Sequence, residues 1–173
     1  MIDRIKINSV ADLLAHVKAM ETEAMERYQD LAEQMDVHHN SETAALFRKM
    51  ADVEALHVEK ILERAEGIEL PHIAPWEYQW GDSDTPEAVS AEHTHYLMTP
   101  YHALQLALRA EQRAFDFFDQ IVRRSEPGVI HELASELRDE EFHHVGLIEA
   151  WLEKTGKPDE DWDEDPDPPA LQE

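Results

Sequence analysis

Cysteine is absent from this 173-residue chain, which excludes disulfides, thiolate-held zinc and cysteine-ligated iron–sulfur clusters. Positive charge is scarce: 15 Lys and Arg stand against 39 Asp and Glu, a formal net charge of −24. Such a surface repels phosphate backbones and anionic headgroups, so neither nucleic acid nor membrane is an expected partner. Cations are the guests it favours, although solubility or adaptation to salt accounts for the acidic surface equally well. No apolar run approaches the roughly eighteen residues that span a bilayer. The opening MIDRIKINSV has no apolar signal core either, so the cytoplasm is the expected location. The length suits one domain with a sizeable core.

What the chain does have is helical periodicity. Ser9 or Asn8 can cap a first helix reaching about Met35, with Leu13/Leu14, Val17, Glu21, Ala24, Tyr28, Leu31 and Met35 on one face. A polar turn over Asp36–Ser41 leads to a second helix, about Glu42–Glu66, whose face carries Leu46/Phe47, Met50, Glu54, His57 and Ile61, with Gly67 as its stop. From Ile68 to Thr99 periodicity fails and prolines punctuate the chain. This is read as a long crossover packed on the body through Trp76, Tyr78 and Trp80, with one short helix near Pro86–His93. Thr99-Pro100 opens a third helix with a stripe of Tyr101, Leu104, Leu108, Glu111, Phe115, Phe118 and Val122. A fourth runs from Val129 to about Lys154 through Ala134, Leu137, Glu141, His144, Ile148 and Trp151, with Trp151 and Phe142 read as packing residues. Residues 1–8 form an extension, 9–154 the helical domain, and 155–173 an acidic, proline-rich tail expected to be extended or disordered. The fold class is all-α, a four-helix bundle with the long connection between its second and third helices.

The two halves of the chain repeat. Glu21-x-x-Ala24-x-x-x-Tyr28 matches Glu111-x-x-Ala114-x-x-x-Phe118, and Glu54-x-x-His57-Val58 matches Glu141-x-x-His144-Val145. The lone and paired glutamates are 33 residues apart in one half (21 to 54) and 30 in the other (111 to 141). The bare Glu-x-x-His motif is not specific, since it occurs five times. Pro71 interrupts Glu69/His72, Glu92/His95 falls in the crossover, and Glu140/His143 lies about 100° off the apolar stripe, where it remains a competing register. Only Glu54/His57 and Glu141/His144 share a core phase. Four glutamates facing one core cannot all ionise unpaired, and two divalent ions would offset them, with the imidazoles as neutral ligands. Carboxylate plus imidazole suits iron or manganese, and zinc or cobalt could also enter. Tyr28, two turns from Glu21 on the same face, is a candidate catalytic phenol and equally a core tyrosine with a local partner. His38, His39, His93 and His95 are read as solvated loop histidines.

These residues make the chain resemble the ferritin-like superfamily, in particular di-iron proteins of the rubrerythrin type, over about residues 9–154. The resemblance implies a ferritin-like bundle holding two irons, bridged by Glu54 and Glu141, with Glu21 and Glu111 as terminal ligands and His57 and His144 completing the two spheres. It implies an oxidoreductase that reduces hydrogen peroxide, or oxidises ferrous iron with dioxygen, using an external electron donor. The alternatives are an iron-binding or storage protein without such turnover, and a bundle that has lost function. A homodimer is expected. The chain departs from the rubrerythrin pattern in lacking a four-cysteine electron-delivery domain. Leu108 and Ala114 stand around Glu111, where that family has a further glutamate, so the resemblance does not carry over the family's seven-ligand, peroxide-tuned site. Ala55 stands where haem-binding relatives have methionine, so haem is not expected.

Overall fold

The computed structural model describes residues 6–80, 85–87, 89 and 94–168. Four helices carry the fold: α1 (Val10–Val37), α2 (Ser41–Arg64), α3 (Pro100–Arg124) and α4 (Val129–Lys154), and the described residues contain no strand. At 24 to 28 residues each, they are about 36–42 Å long. No helix is long and apolar enough to cross a membrane among the described residues.

Local chemistry sets the helix ends close to where the residues ask for them. The Ser9 hydroxyl accepts the Asp12 N–H at 3.0 Å to open α1. Gly67, at φ +76°, takes the left-handed conformation just past α2. His102 Nδ1 accepts the Thr99 N–H at 3.0 Å, and Pro100 fills the first turn of α3. Helix α1 packs along α2 and α3 along α4, and the two hairpins meet through α2 with α3 and α1 with α4.

The core is divided. One apolar cluster gathers Tyr28–Met35 of α1, Ala44–Ala51 of α2 and Ala103–Ala107 of α3. The other gathers Leu13–Met20 of α1, Ile61 of α2, Ala114–Ile121 of α3 and Ala134 with Leu137 of α4. Glu21, Glu54, Glu111 and Glu141 fall between these two along their helices, all buried.

The crossover is pinned at both ends. His16, buried on α1, accepts the Gln79 N–H on Nε2 at 3.0 Å while its Nδ1 bonds the Asp12 carbonyl at 2.7 Å. Tyr78 and Trp80 lie edge-on to the His16 ring. At the far end, Asn40 and Thr43 donate to the Met98 carbonyl at 2.7 and 2.8 Å, tying the α1–α2 turn to the start of α3.

Several expectations are corrected. Trp76 does not pack on the body and is 84 % exposed; a single 3-10 turn at Pro75–Glu77 presents it to solvent. The α3 face turns through Ala103, Ala107, Ala110 and Ala114, leaving Tyr101, Leu108, Phe115 and Val122 at its half-exposed margin. Alanines permit close helix approach, and a pattern weighted by bulk passes over them. Beyond Glu141 no residue of α4 is fully buried: Phe142 is 70 % exposed, and Trp151 lies at the surface under Lys49 Nζ at 4.2 Å. The acidic tail turns back, placing Trp162 against His102 (3.9 Å between ring centres), and Tyr96 donates to Asp165 at 2.7 Å. An aromatic side chain and one hydroxyl donor thus hold a segment whose charge and prolines suggested no structure. The short helix expected near Pro86–His93 lies largely outside the described residues.

Candidate metal centre

Each helix contributes to the layer between the two apolar clusters: α1 gives Glu21, α2 Glu54 and His57, α3 Glu111, α4 Glu141 and His144. The ligand atoms of Glu21, Glu54 and His57 lie within 4.8 Å of one another, and so do those of Glu111, Glu141 and His144. His57 Nδ1 is 3.0 Å from Glu54 Oε2 and 3.4 Å from Glu21 Oε2. His144 Nδ1 is 3.3 Å from Glu141 Oε2 and 3.4 Å from Glu111 Oε2. The two imidazoles stack face to face, 4.6 Å between centres and 5° from parallel. Structure therefore brings all six sequence candidates together, in two near-identical trios.

The competing register does not enter. Glu140 and His143 stand exposed on the outer side of α4, where Glu140 instead accepts a hydrogen bond from Arg64 at 2.8 Å. Among the loop histidines, His38 and His95 lie against the Tyr96 ring, at 4.9 and 4.7 Å, and His93 is outside the described residues. None of the described loop histidines falls in a group able to hold a metal.

Electrostatics explain what the layer does with its charge. Burial pushes the Glu54 carboxyl up to about 8, with Glu21 and Glu111 nearby adding to the rise and the His57 contact opposing it. Burial likewise drives Glu141 well above the usual carboxylate range. Glu111 goes the other way: burial would raise it, but its bonds to His144 and Glu141 and the charges of both imidazoles draw it down. Burial alone would lower His57 and His144, yet the carboxylates facing each carry them up to about 11 and about 10. Without a cation, then, the layer keeps protons in order to exist.

A metal pair fits this donor set. Glu21 Oε2 is buried and accepts no hydrogen bond, its nearest charged neighbour being His57 Nδ1 at 3.4 Å, and a cation would satisfy it. Oxygen and imidazole donors in equal trios suit two first-row divalent ions, which displace the shared protons. A cavity of about 130 Å³ reaches the layer; Glu54, His57, Glu111 and His144 line it together with apolar side chains such as Met50 and Leu147. Tyr28 lines the same cavity. Its ring stacks on Phe47, and burial holds its phenol well above the ordinary pKa, with the charges of Glu54, Glu111 and Glu87 reinforcing it. The larger cavity of about 770 Å³, between α1 and the crossover, touches none of the six candidates.

One buried acid escaped the sequence reading. Glu87, in the crossover, is 3 % exposed, and a carboxylate oxygen lies within 4.8 Å of oxygens of Glu21 and Glu141. Burial pushes it well above the usual range, and the neighbouring carboxylates push it further. No periodicity marks it, because it belongs to no helix. Arg113, whose Nε donates to the Pro86 carbonyl at 2.7 Å, was equally unmarked.

Comparison with known proteins gives two findings. The model of the rubrerythrin family matches residues 12–152. Among solved structures, an uncharacterised conserved protein from Magnetospirillum magnetotacticum MS-1 is similar, with 39% sequence identity over 87% of this chain and 98% of that one and a TM-score of 0.64. No curated protein matches the chain.

Proposed function

The chain belongs to the rubrerythrin family, and on that premise we propose that it is a di-iron oxidoreductase, reducing hydrogen peroxide or oxidising ferrous iron with dioxygen. Its electrons come from an external donor. The observation that supports this reading is the convergence of two Glu, Glu, His trios in one buried layer. Glu21, Glu54 and His57 would hold one ion and Glu111, Glu141 and His144 the other, with Glu54 and Glu141 as the ligands that the family resemblance implies are shared. Bound iron supplies redox chemistry: two electrons and two protons convert one hydrogen peroxide to two waters.

The chain's own part is to select, orient and keep dry. The apolar clusters on either side of the layer exclude bulk water from it. The cavity, at about 130 Å³, admits an oxidant of a few atoms and little else. Tyr28 faces that space with its phenol held protonated, so it can donate a hydrogen bond to an oxidant entering there. Glutamates with raised pKa values yield their protons when cations arrive.

The net charge of −24 favours a second reading, iron binding and storage without peroxidase turnover. In either case the protein is taken as a cytoplasmic homodimer with neither nucleic acid nor membrane as partner. The test is metal content per chain after anaerobic reconstitution with ferrous iron, in the wild type and in Glu141→Ala, followed by oxidant consumption. About two irons per chain, lost in the variant, with saturable peroxide or dioxygen consumption, is the expected result. Iron accumulating far beyond two per chain in a large hollow assembly would favour storage. No stoichiometric iron would overturn both readings.

A further inference from the structure

Six ligands leave part of the buried layer unexplained. Three buried side-chain oxygens lack a hydrogen-bond partner among the described residues: Glu21 Oε2, Glu87 Oε2 and Thr85 Oγ1. Glu21 and Glu87 belong to one group with Glu141, their oxygens within 4.8 Å of one another, and all three side chains are buried. This third group differs from the two trios. It takes one acid from each half of the repeat, and its third member comes from outside the repeat altogether. A buried polar atom without a partner costs on the order of several kcal/mol, and folded proteins rarely tolerate one that serves no purpose.

The crossover is also anchored where this matters. Arg113 stands two residues after Glu111 on α3, and its Nε fixes the Pro86 carbonyl at 2.7 Å, the backbone immediately before Glu87. The helix that carries one terminal ligand thereby holds the neighbouring loop in place. Glu87 does not line the cavity that reaches His57 and His144, so it enters the layer away from the oxidant's path.

We propose that Glu87 is a seventh ligand of the same metal centre, a carboxylate delivered by the crossover to the side shared by Glu21 and Glu141. This rests on the metal-binding reading above. It makes the site one of five carboxylates and two imidazoles, and it ties metal loading to the position of the crossover as well as to the four helices.

Cobalt(II), added anaerobically to the full-length protein, is the probe. Its visible absorption reports the number and kind of donors, which a merely structural role for Glu87 would not alter. The wild type, Glu87→Gln and Glu87→Asp are compared. Glu87→Gln is expected to bind at least one of the two ions about tenfold more weakly or worse, with a changed cobalt spectrum. Its metal-free form should melt at or above the wild-type temperature, because a buried carboxyl crowded by other carboxylates has been removed, and its gain in melting temperature on cobalt binding should shrink. Glu87→Asp, which keeps the charge, should recover part of the affinity. A Glu87→Gln protein with wild-type affinity and spectrum would overturn the assignment while leaving the six-ligand reading intact. So would one that only melts lower. A wild type that binds no cobalt would overturn both.

Discussion

In the α1–α2 hairpin, His57 Nδ1 faces Glu21 and Glu54 at 3.4 and 3.0 Å; in the α3–α4 hairpin, His144 Nδ1 faces Glu111 and Glu141 at 3.4 and 3.3 Å. Around these matched trios the hairpins differ. Seven residues after the lone glutamate, the first half has Tyr28 and the second Phe118, both buried. Two residues after it, the first half has Glu23, half-buried, and the second has Arg113, bonded to the crossover. The paired glutamates of both halves, Glu54 and Glu141, are raised alike by burial, while Glu111 is drawn down by the imidazoles. The sequence repeat accounts for the two trios. What distinguishes the halves is which one supplies a phenol to the cavity and which one secures the connecting chain.

The largest expected effect tests the symmetry itself. Glu54→Ala and Glu141→Ala should each cost most of the bound iron, measured as metal per chain after anaerobic loading, with affinity falling about a hundredfold or more. Equal losses would show that the halves carry metal equivalently. Retention of iron in one variant alone would show that they do not.

A pH dependence of a few kcal/mol should follow from the protons held in the layer. Glu54, raised from 4.5 to about 8, stabilises the metal-free fold in its protonated form, so that contribution is full below about pH 4.5 and is lost as pH rises toward 8. His57 and His144 act in the same direction, their contributions disappearing as pH rises through about 10 to 11. Glu111 opposes them, since its lowered value stabilises above its ordinary range and is lost on acidification. Metal-free protein should therefore melt lower at pH 8 than at pH 5, and Glu54→Gln should reduce that slope, Glu141 and Glu87 supplying the rest, while Glu111→Gln leaves it. A wild-type melting temperature independent of pH over this interval would contradict the assignment.

Exchanging the aromatic pair sharpens the contrast in function. Tyr28→Phe should slow oxidant consumption on the order of a hundredfold while leaving metal content unchanged. Phe118→Tyr should give no gain in rate and should cost about 1–3 kcal/mol by burying a hydroxyl without a partner. Unaltered kinetics in Tyr28→Phe would reduce that residue to a packing role.

The smallest effect concerns the anchor. Arg113→Met should lose about 1 kcal/mol in chemical denaturation, whereas Glu23→Gln, at the matching half-buried position, should stay within about 0.5 kcal/mol of wild type. Equal stabilities would mean that the crossover is held by other contacts, such as His16 with Gln79.

Much of this architecture can be read from residues alone, where a single element answers to its own period. The α1 stripe from Leu13 to Met35 is buried throughout, and the shared phase of Glu54/His57 and Glu141/His144 separates them from Glu140/His143, which the fold leaves in solvent. Side-chain bulk does not track burial everywhere. Trp76, Phe142 and Trp151 read as packing residues yet stand at the surface, while the alanines of α3 form the actual contact face.

What the amino-acid order determined by itself is therefore each helix, its caps and the face on which Glu21, Glu54, His57, Glu111, Glu141 and His144 lie, because these follow from interactions between residues three or four apart. Tertiary structure alone decided that Glu87 joins Glu21 and Glu141, that Arg113 holds the loop beside it, and that Trp162 returns to His102. Those contacts link residues 27 to 66 positions apart, from Pro86 to Arg113 and from Glu21 to Glu87. They depend on the path of chain segments that have no repeat, and no local period can announce them.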